Sequence, residues 1–500
     1  MKTYHWIWYA LLVLVFMMGF IIRVSDLFDA PLDFHATRQL HSALIARGMY
    51  YQGLDSAPEW KQAMAYNQWQ AEGLIEPQIM ETLTALGYRV FGSEQLWIAR
   101  LWAIFFWMIG GVFLFLITEE IADFASGTFA VVFYMIWPYA AIASRAFQPE
   151  PLLIAAMLAA LWAFMQWMRS EKWAWAILAG LLSGFALYVK SSAIFFLAPA
   201  FASVVLQRFS FKKAIRNKQV WLIMILSTLP YLIYLFFGTV VLNILGRQFD
   251  FRFFPGRWIQ PLFYIQWLLE LDKTIQLVIV MAAVMGISLF TKKKYFMLLV
   301  GFLLGYVIYG FAFSYHITTH DYYHLPLIIP VSIGIGIILG KIFRVSERNH
   351  TITRVIFALA ALLFIGFYSW QIRSELSRYN YSEEVNDWEQ AGEYIGREAR
   401  VIGVFKNYGY RLAYWGWNYV SSWTTMGDVT LRELAGQEID LQRQFDDRIA
   451  NYDFFVVGDR DEFERQAFLK EYFETNFLKV HEIGDILIYD LRATNVDSGS

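Results

Sequence analysis

Cysteine is absent from all 500 residues, which excludes disulfides, thiolate metal sites and a cysteine nucleophile. Any part outside the cell must hold together by packing. Charge is scarce too: 17% of residues are Asp, Glu, Lys or Arg against 58% hydrophobic, and mean hydropathy is +0.40. That balance excludes an ordinary soluble enzyme. With 41 basic and 43 acidic residues the formal charge is only −2, so bulk charge argues for neither nucleic acid nor an acidic substrate. What the chain has in plenty is aromatic side chains, 20 Trp, 29 Tyr and 44 Phe. Such rings suit membrane-interface positions, half in lipid and half in water. The composition is that of an α-helical polytopic membrane protein.

A spanning helix needs about 20 mostly apolar residues, because no water satisfies backbone groups within hydrocarbon. Eleven stretches qualify, at 6–22, 97–118, 124–143, 151–168, 173–189, 191–206, 220–242, 274–290, 295–314, 324–341 and 352–370. The fifth and sixth are short and are parted only around Lys190. The first could be read as a cleaved leader, since Lys2 precedes it, but no small-x-small cleavage site follows Ile22. Lysine and arginine gather at Arg169 and Lys172, from Arg208 to Lys218, at Lys292 to Lys294 and from Lys341 to Arg354. Because short cytoplasmic loops are enriched in these residues, the N-terminus is expected inside. Residues 23–95, 144–150, 243–273, 315–323 and the C-terminal region are then extracytoplasmic, in a bacterial cytoplasmic (inner) membrane.

Charge returns after residue 370. Residues 371–500 carry a net −10 and the preceding part a net +8, a split that the total conceals. Runs at 401–405, 454–458 and 486–489 have strand composition, with helical stretches near 383–398, 429–450 and 461–474. Two domains are expected: 1–370 in the membrane, including the long outer loop 23–95, and 371–500 as a small extracytoplasmic α/β domain. Ala493 to Ser500 reads as a frayed tail.

Ionisable residues are costly near a membrane, so clusters at the outer ends of the spans are the best functional candidates. The first runs from Asp26 to Gln39 and holds Asp26, Asp29, Asp33, His35 and Arg38. These could hold a metal, deprotonate a hydroxyl or bind phosphate, and equally could form a solvated loop with Asp33 as a helix N-cap. The same loop predicts interfacial helices over 37–50 and 60–72, anchored by Trp60, Tyr66 and Trp69. It then reaches Glu76-Pro77, where the carboxylate either aims into a cavity or caps a helix. The third cluster is Arg145 to Pro151, with Glu150 between two prolines. The fourth holds His316, His320, Asp321, Tyr322, Tyr323 and His324. Three histidines spaced by four invite zinc only if the segment is helical, and Pro326 follows at once. Arg247 to Trp258 alternates arginine with aromatics, which between two spans suits lipid phosphate better than nucleic acid.

Together these motifs resemble the polyprenyl-phosphate-dependent glycosyltransferases of the GT-C superfamily, in particular bacterial protein O-mannosyltransferases and aminoarabinose transferases. Asp33-Phe34-His35-Ala36-Thr37-Arg38-Gln39 with Ala43 to Arg47 resembles the D-[WF]-H-x-x-R-Q motif and its trailing A-x-I-A-R. Glu76-Pro77 is similar to the acidic residue before proline, Pro149-Glu150-Pro151 to the P-[DE]-P segment, and His320 to Pro330 to H-x-Y-Y-x-L-P-x-x-P. Aminoarabinose transferases place Glu after the first Asp and Lys before the second motif's prolines. Here Phe34 follows Asp33 and Gln78 follows Pro77.

The resemblance implies a sugar carried on an undecaprenyl-type phosphate and transferred, with inversion, to a hydroxyl of a glycan, lipid or protein acceptor. Asp33 would be the base, with His35 and Glu76 orienting the acceptor or sharing its proton. Arg38 would hold phosphate or lock the carboxylate, beside Gln39. Arg145, Lys190, Arg252 and Arg257 are further phosphate candidates, and Glu150, His320, Tyr322 and Tyr323 would line the cavity. No resident cofactor is implied, although a divalent Mg or Mn ion bridging Asp33 to phosphate stays open. The rival readings are an O-antigen ligase or polymerase and a lipid-linked-sugar transporter, the latter without the repeat symmetry or midplane charges expected of it.

Overall fold

The computed structural model describes residues 5–245, 252–348 and 351–494. Among them are eleven apolar helices: α1 (His5–Val24), α2 (Trp97–Ile121), α3 (Phe124–Ile136), α4 (Glu150–Ser170), α5 (Trp173–Val189), α6 (Ala193–Arg208), α7 (Lys218–Phe236), α8 (Leu277–Phe290), α9 (Lys293–Ala312), α10 (Ile328–Arg348) and α11 (Thr351–Leu376). Six apolar spans are long enough to cross a membrane, those built on α2, α4, α7, α9, α10 and α11, and the other five are shorter. The protein is a multi-pass membrane protein. α3 ends at Ile136 because Pro138 starts a separate short helix, Pro138–Ala143, so the apolar run 124–143 is two helices. An unanticipated helix, Pro261–Ile275, precedes α8.

The chain divides into two compact units. The first comprises residues 1–27, 74–79 and 100–378. Its helices pack closely through small residues. A Cβ at Gly305 of α9 would run into the Phe195 carbonyl of α6, so only glycine permits that approach.

The second unit joins residues 28–73 and 80–99 to 379–500. The sequence-based division at 370 put the whole outer loop with the membrane part, whereas here most of it belongs with the C-terminal region. Helix Ala36–Tyr51 is buried on most of its surface and packs on helix Tyr410–Trp415. Gln68 donates to the carbonyls of Ala413 (2.8 Å) and Asn418 (3.1 Å). Trp60, expected as a membrane anchor, instead meets Arg397, 3.7 Å from its ring centre, and Trp417.

The C-terminal part is an α/β domain, as expected, around a five-stranded sheet. Strands β1 (Arg400–Phe405), β2 (Tyr419–Ser422), β3 (Phe454–Gly458), β4 (Phe477–Ile483) and β5 (Ile486–Thr494) lie in the order β2-β1-β3-β5-β4. The β1 pairings are parallel and those of β5 antiparallel. Alternation along β1 sends Val401 and Phe405 into the core under Trp388, and Ile402 and Val404 into the core with Trp423 and Phe445, the period of two that a sheet covered on both faces requires. Short β2 and β4 carry no comparable signal. The stretch 429–450 is two helices, Met426–Leu434 and Leu441–Ile449, parted at Gly436 with φ 77°. Ala493 and Thr494 close β5, and 495–500 lie outside the described residues.

Candidate functional site

In the second unit, Asp33 sits three residues before the start of helix Ala36–Tyr51. Its N-cap is His35, not Asp33, and His35 adopts φ 44°, ψ 59°. A left-handed non-glycine residue costs of order 1 kcal/mol or more and persists only when its surroundings enforce it. Gln39 provides part of that enforcement, donating to the Phe34 carbonyl (2.6 Å), the Pro31 carbonyl (3.2 Å) and Asp33 Oδ1 (3.3 Å). Gln39 is thus a positioning residue for the turn that carries Asp33. The C-terminal domain adds support that no local motif announced. Asn407 Nδ2 donates to Thr37 Oγ1 at 2.8 Å, from a turn whose Asn407 and Tyr408 are both left-handed. The Tyr381 backbone N–H donates to Asp29 at 3.2 Å. Burial, then the negative charge of Asp33 and Asp29, pushes the Tyr381 hydroxyl pKa upward.

In the first unit the structure brings together Glu76 and Glu150, from two of the motifs, and Lys190, from the break between two apolar runs. Glu150 heads α4, where the helix dipole favours a carboxylate. Lys190 caps α5, in the break between two apolar runs. Its Nζ hydrogen-bonds Glu150 Oε1, lies 3.5 Å from Glu76 Oε1, and sits 5.2 Å from the Tyr322 ring centre. All three charged side chains are mostly buried. Glu150 Oε2, both polar atoms of the Gln148 amide and His316 Nδ1 are buried without a protein partner. Buried polar groups are nearly always satisfied, so such atoms point to a ligand.

His316 and His320 lie with ring centres 5.5 Å apart. Burial, followed by the positive charge of His320, Arg252 and Lys190, pulls His316 down to about 3, so its ring is neutral. His324 turns away, bonded to Tyr306 (2.8 Å) and the Ile317 carbonyl (2.9 Å). The three rings therefore do not form the zinc set that their spacing suggested. Among the described residues no three His, Asp or Glu side chains converge as metal ligands, and the Lys190 ammonium already occupies the place between Glu76 and Glu150. The Glu76 and Glu150 carboxylates thus share the Lys190 ammonium as their counter-ion.

Other candidates are committed elsewhere. Arg145 donates to the carbonyls of Ser25 and Asp26, both at 2.6 Å, and Arg100 to those of Asp26 (3.1 Å) and Leu27 (3.0 Å). They fix the chain as it leaves α1, where Asp26 is left-handed at φ 57°. Arg257 donates to Gln266 (2.9 Å) and Thr318 (3.1 Å). Tyr323 stacks on Tyr309. Arg252 is described; Arg247 to Phe251 lie outside the described residues. Arg38 is half-buried on the first turn of helix Ala36–Tyr51. Tyr139, which donates to Asp321 at 3.2 Å, was not foreseen and has no sequence signal beyond its place beside Pro138.

A cavity of about 350 Å³ opens among α4, α5, α6 and α7, lined by Phe164, Leu187, Leu197, Phe201, Ile223 and Met224. The hydroxyls on its wall, those of Ser183, Ser227 and Thr228, are turned back onto helix carbonyls. The cavity is therefore apolar and suits hydrocarbon.

A family model described as dolichyl-phosphate-mannose-protein mannosyltransferase matches residues 76–234, the stretch that contains Glu76, Glu150 and Lys190. No curated protein sequence matches significantly. Among solved structures, ArnT from Cupriavidus metallidurans in the apo state is similar with a TM-score of 0.60 at 14% identity, covering 95% of this chain and 97% of that one. The chain has the fold of ArnT. ArnT bound to undecaprenyl phosphate matches with a TM-score of 0.58 at 12% identity over 98% of each chain. The Archaeoglobus fulgidus oligosaccharyltransferase in apo form matches at 0.54 and 11%, over 91% of this chain and 70% of that one. The matched similarity runs over residues of both units.

Proposed function

We propose that the protein is a membrane glycosyltransferase moving a sugar from an undecaprenyl-type phosphate donor to an acceptor hydroxyl on the extracytoplasmic face. The observation that carries this reading is the buried Glu76–Lys190–Glu150 cluster with unpartnered polar atoms beside it, built from the motifs that resemble the family. Among similar structures, ArnT is bound to undecaprenyl phosphate and the archaeal oligosaccharyltransferase is in complex with a dolichol-phosphate.

In the proposed reaction, the acceptor oxygen attacks the anomeric carbon while its proton passes to a general base, the role that the motif resemblance gives Asp33. The bond from that carbon to the phosphate oxygen breaks, and the electron pair leaves on the polyprenyl monophosphate. The configuration inverts. Charge grows on the departing phosphate, so a cation placed beforehand stabilises the transition state more than the ground state. Lys190, with Arg252 and the neutral imidazole of His316 nearby, supplies that environment, and Glu76 and Glu150 hold the ammonium in place. Orientation with the N-terminus inside puts the outer loop and C-terminal domain on the extracytoplasmic side. The apolar cavity among α4 to α7 accepts part of the lipid tail.

The test is sugar transfer from a lipid-phosphate-linked donor by purified Asp33→Asn protein. A loss of at least about a thousandfold is expected for removal of a general base and its charge, with unchanged expression and thermal unfolding. Wild-type turnover in that variant would remove Asp33 from the mechanism.

A further inference from the structure

The second unit contains a polar cavity that the transfer chemistry does not use. It measures about 300 Å³ and is lined by Gln68, Glu72, Tyr410, Asn418, Tyr419 and Tyr452 among others, side chains from the outer loop and the C-terminal domain. Gln68 spends both amide hydrogens on the Ala413 and Asn418 carbonyls, and its Oε1 is buried without a partner. Asn418 donates to the Gly396 carbonyl at 2.8 Å, and its Oδ1 is likewise buried without a partner. Asn418 is fully buried and Gln68 is 5% exposed. Gln68 thus adds a buried, unpartnered amide oxygen to the lining, whereas the Asn418 amide is turned to Gly396, which is not part of that lining.

The lining selects the chemistry. It sets tyrosine and serine hydroxyls beside the Glu72 carboxyl and the Gln68 amide, so the ligand must both donate and accept hydrogen bonds. The Arg400 guanidinium at the rim is 3.5 Å from Asp453, and Glu72 contributes the opposite sign, so an anion finds no open cation here. Burial raises Glu72 to about 7, which lets its carboxyl donate as well as accept near neutral pH. Tyrosine rings offer flat apolar walls of the kind that receive the C–H face of a pyranose. The volume lies at the lower edge of small-molecule sites, enough for one ring.

We propose that this cavity is a saccharide subsite that binds a single neutral sugar ring through Gln68 and Glu72, against the tyrosines. In calling that ring part of the acceptor, the proposal rests on the glycosyltransferase reading; the binding itself does not.

The experiment uses the full chain in lipid nanodiscs free of glycolipid and sugar-headed detergent. Saturation-transfer NMR follows methyl α-D-mannoside, methyl α-D-glucoside and N-acetyl-D-glucosamine, with ethanolamine as a cationic competitor. At least one sugar should bind. Ala71→Trp, which plugs the exposed rim, and Tyr419→Ala, at a half-exposed ring, should each weaken it at least about tenfold, the loss of one good contact. Asp33→Asn should leave binding unchanged, which separates the subsite from the transfer mechanism. The proposal is overturned if no sugar binds, which makes the cavity a water site. It is overturned equally if neither rim variant weakens binding, or if ethanolamine displaces the sugar at comparable concentration.

Discussion

Arg47 and Lys190 are both buried cations beside carboxylates, one in each unit, yet their surroundings differ in kind. Arg47 donates from Nε to Glu94 at 2.9 Å and from Nη1 to the Tyr414 carbonyl at 2.5 Å. Its guanidinium lies flat against Tyr414 (3.7 Å) and Trp417 (4.0 Å), and the Tyr414 hydroxyl closes the circle on Glu94. Lys190 has two carboxylates and one ring, and the polar atoms near it, Glu150 Oε2 and the Gln148 amide, lack protein partners. A buried charge among satisfied partners is architecture, whereas one beside unpartnered polar atoms is held for a ligand. The motif Ala43 to Arg47 is therefore structural at its arginine, even though it sits in the stretch that resembles a catalytic signature.

The comparison breaks most sharply at Arg47. Arg47→Ala leaves Glu94 buried without its cation, and removal of one partner of a buried pair costs about 3–5 kcal/mol. Chemical denaturation followed by tryptophan fluorescence should show that loss in the second unit. Arg47→Lys should fall between, because an ammonium keeps the charge but loses the fork and the ring stacking. A variant that unfolds normally yet no longer transfers sugar would reverse the assignment and make Arg47 a ligand contact.

Glu72 tests the same idea through pH. Its carboxyl is 12% exposed and 3.5 Å from His41 Nε2, and burial, only partly offset by the Tyr410 hydroxyl, raises it from 4.5 to about 7. The folded state thus binds the proton more tightly than the unfolded chain. Stability is greatest below about 4.5 and declines as pH rises to about 7, by about 3 kcal/mol for that difference. Glu72→Gln should remove the decline, matching wild type near pH 4.5 and exceeding it by about 3 kcal/mol at pH 8. Equal pH slopes in wild type and variant, measured by thermal unfolding, would show that Glu72 is solvated.

Lys190 should behave oppositely to Arg47 in activity. Lys190→Arg keeps a cation between Glu76 and Glu150 but replaces a point charge with a broad fork. Transfer should drop about a hundredfold, equivalent to about 2.7 kcal/mol of transition-state stabilisation, with unfolding of the outer unit unchanged. Full activity in Lys190→Arg would make the cluster a structural ion pair like that of Arg47.

How much of this was legible follows from the range of each interaction. Apolar runs of 16 to 23 residues are local, and so were the eleven helices; Pro138, also local, explains why one run broke. Alternation made β1, β3 and β5 readable, while four-residue β2 and irregular β4 have too few positions to alternate. Glu76, Glu150 and Lys190 stood out because charge beside apolar runs is rare, and the fold then joined them. The union of outer loop and C-terminal domain could not be read, since Arg47 meets Tyr414 across 367 residues and Gln68 meets Ala413 across 345. Arg145 was misleading for the same reason: its partners, the Ser25 and Asp26 carbonyls, lie about 120 residues away and belong to the backbone, which carries no side-chain signature.

The smallest expected effect lies in the ring beneath Lys190. Tyr322 is almost buried, and its face is 5.2 Å from the ammonium, a cation–π contact worth about 0.5–2 kcal/mol. Tyr322→Phe keeps the face and removes only the hydroxyl, whereas Tyr322→Leu keeps the bulk and removes the quadrupole. If the ring serves to hold the ammonium, the leucine variant should lose transfer by about three- to thirtyfold and the phenylalanine variant by less than about threefold. If Tyr322 instead contacts substrate through its hydroxyl, as the motif resemblance allowed, the gap closes and phenylalanine is nearly as damaging as leucine. The ratio of the two turnover rates therefore states whether the ring belongs to the cation's support or to the ligand, the same distinction that separates Arg47 from Lys190.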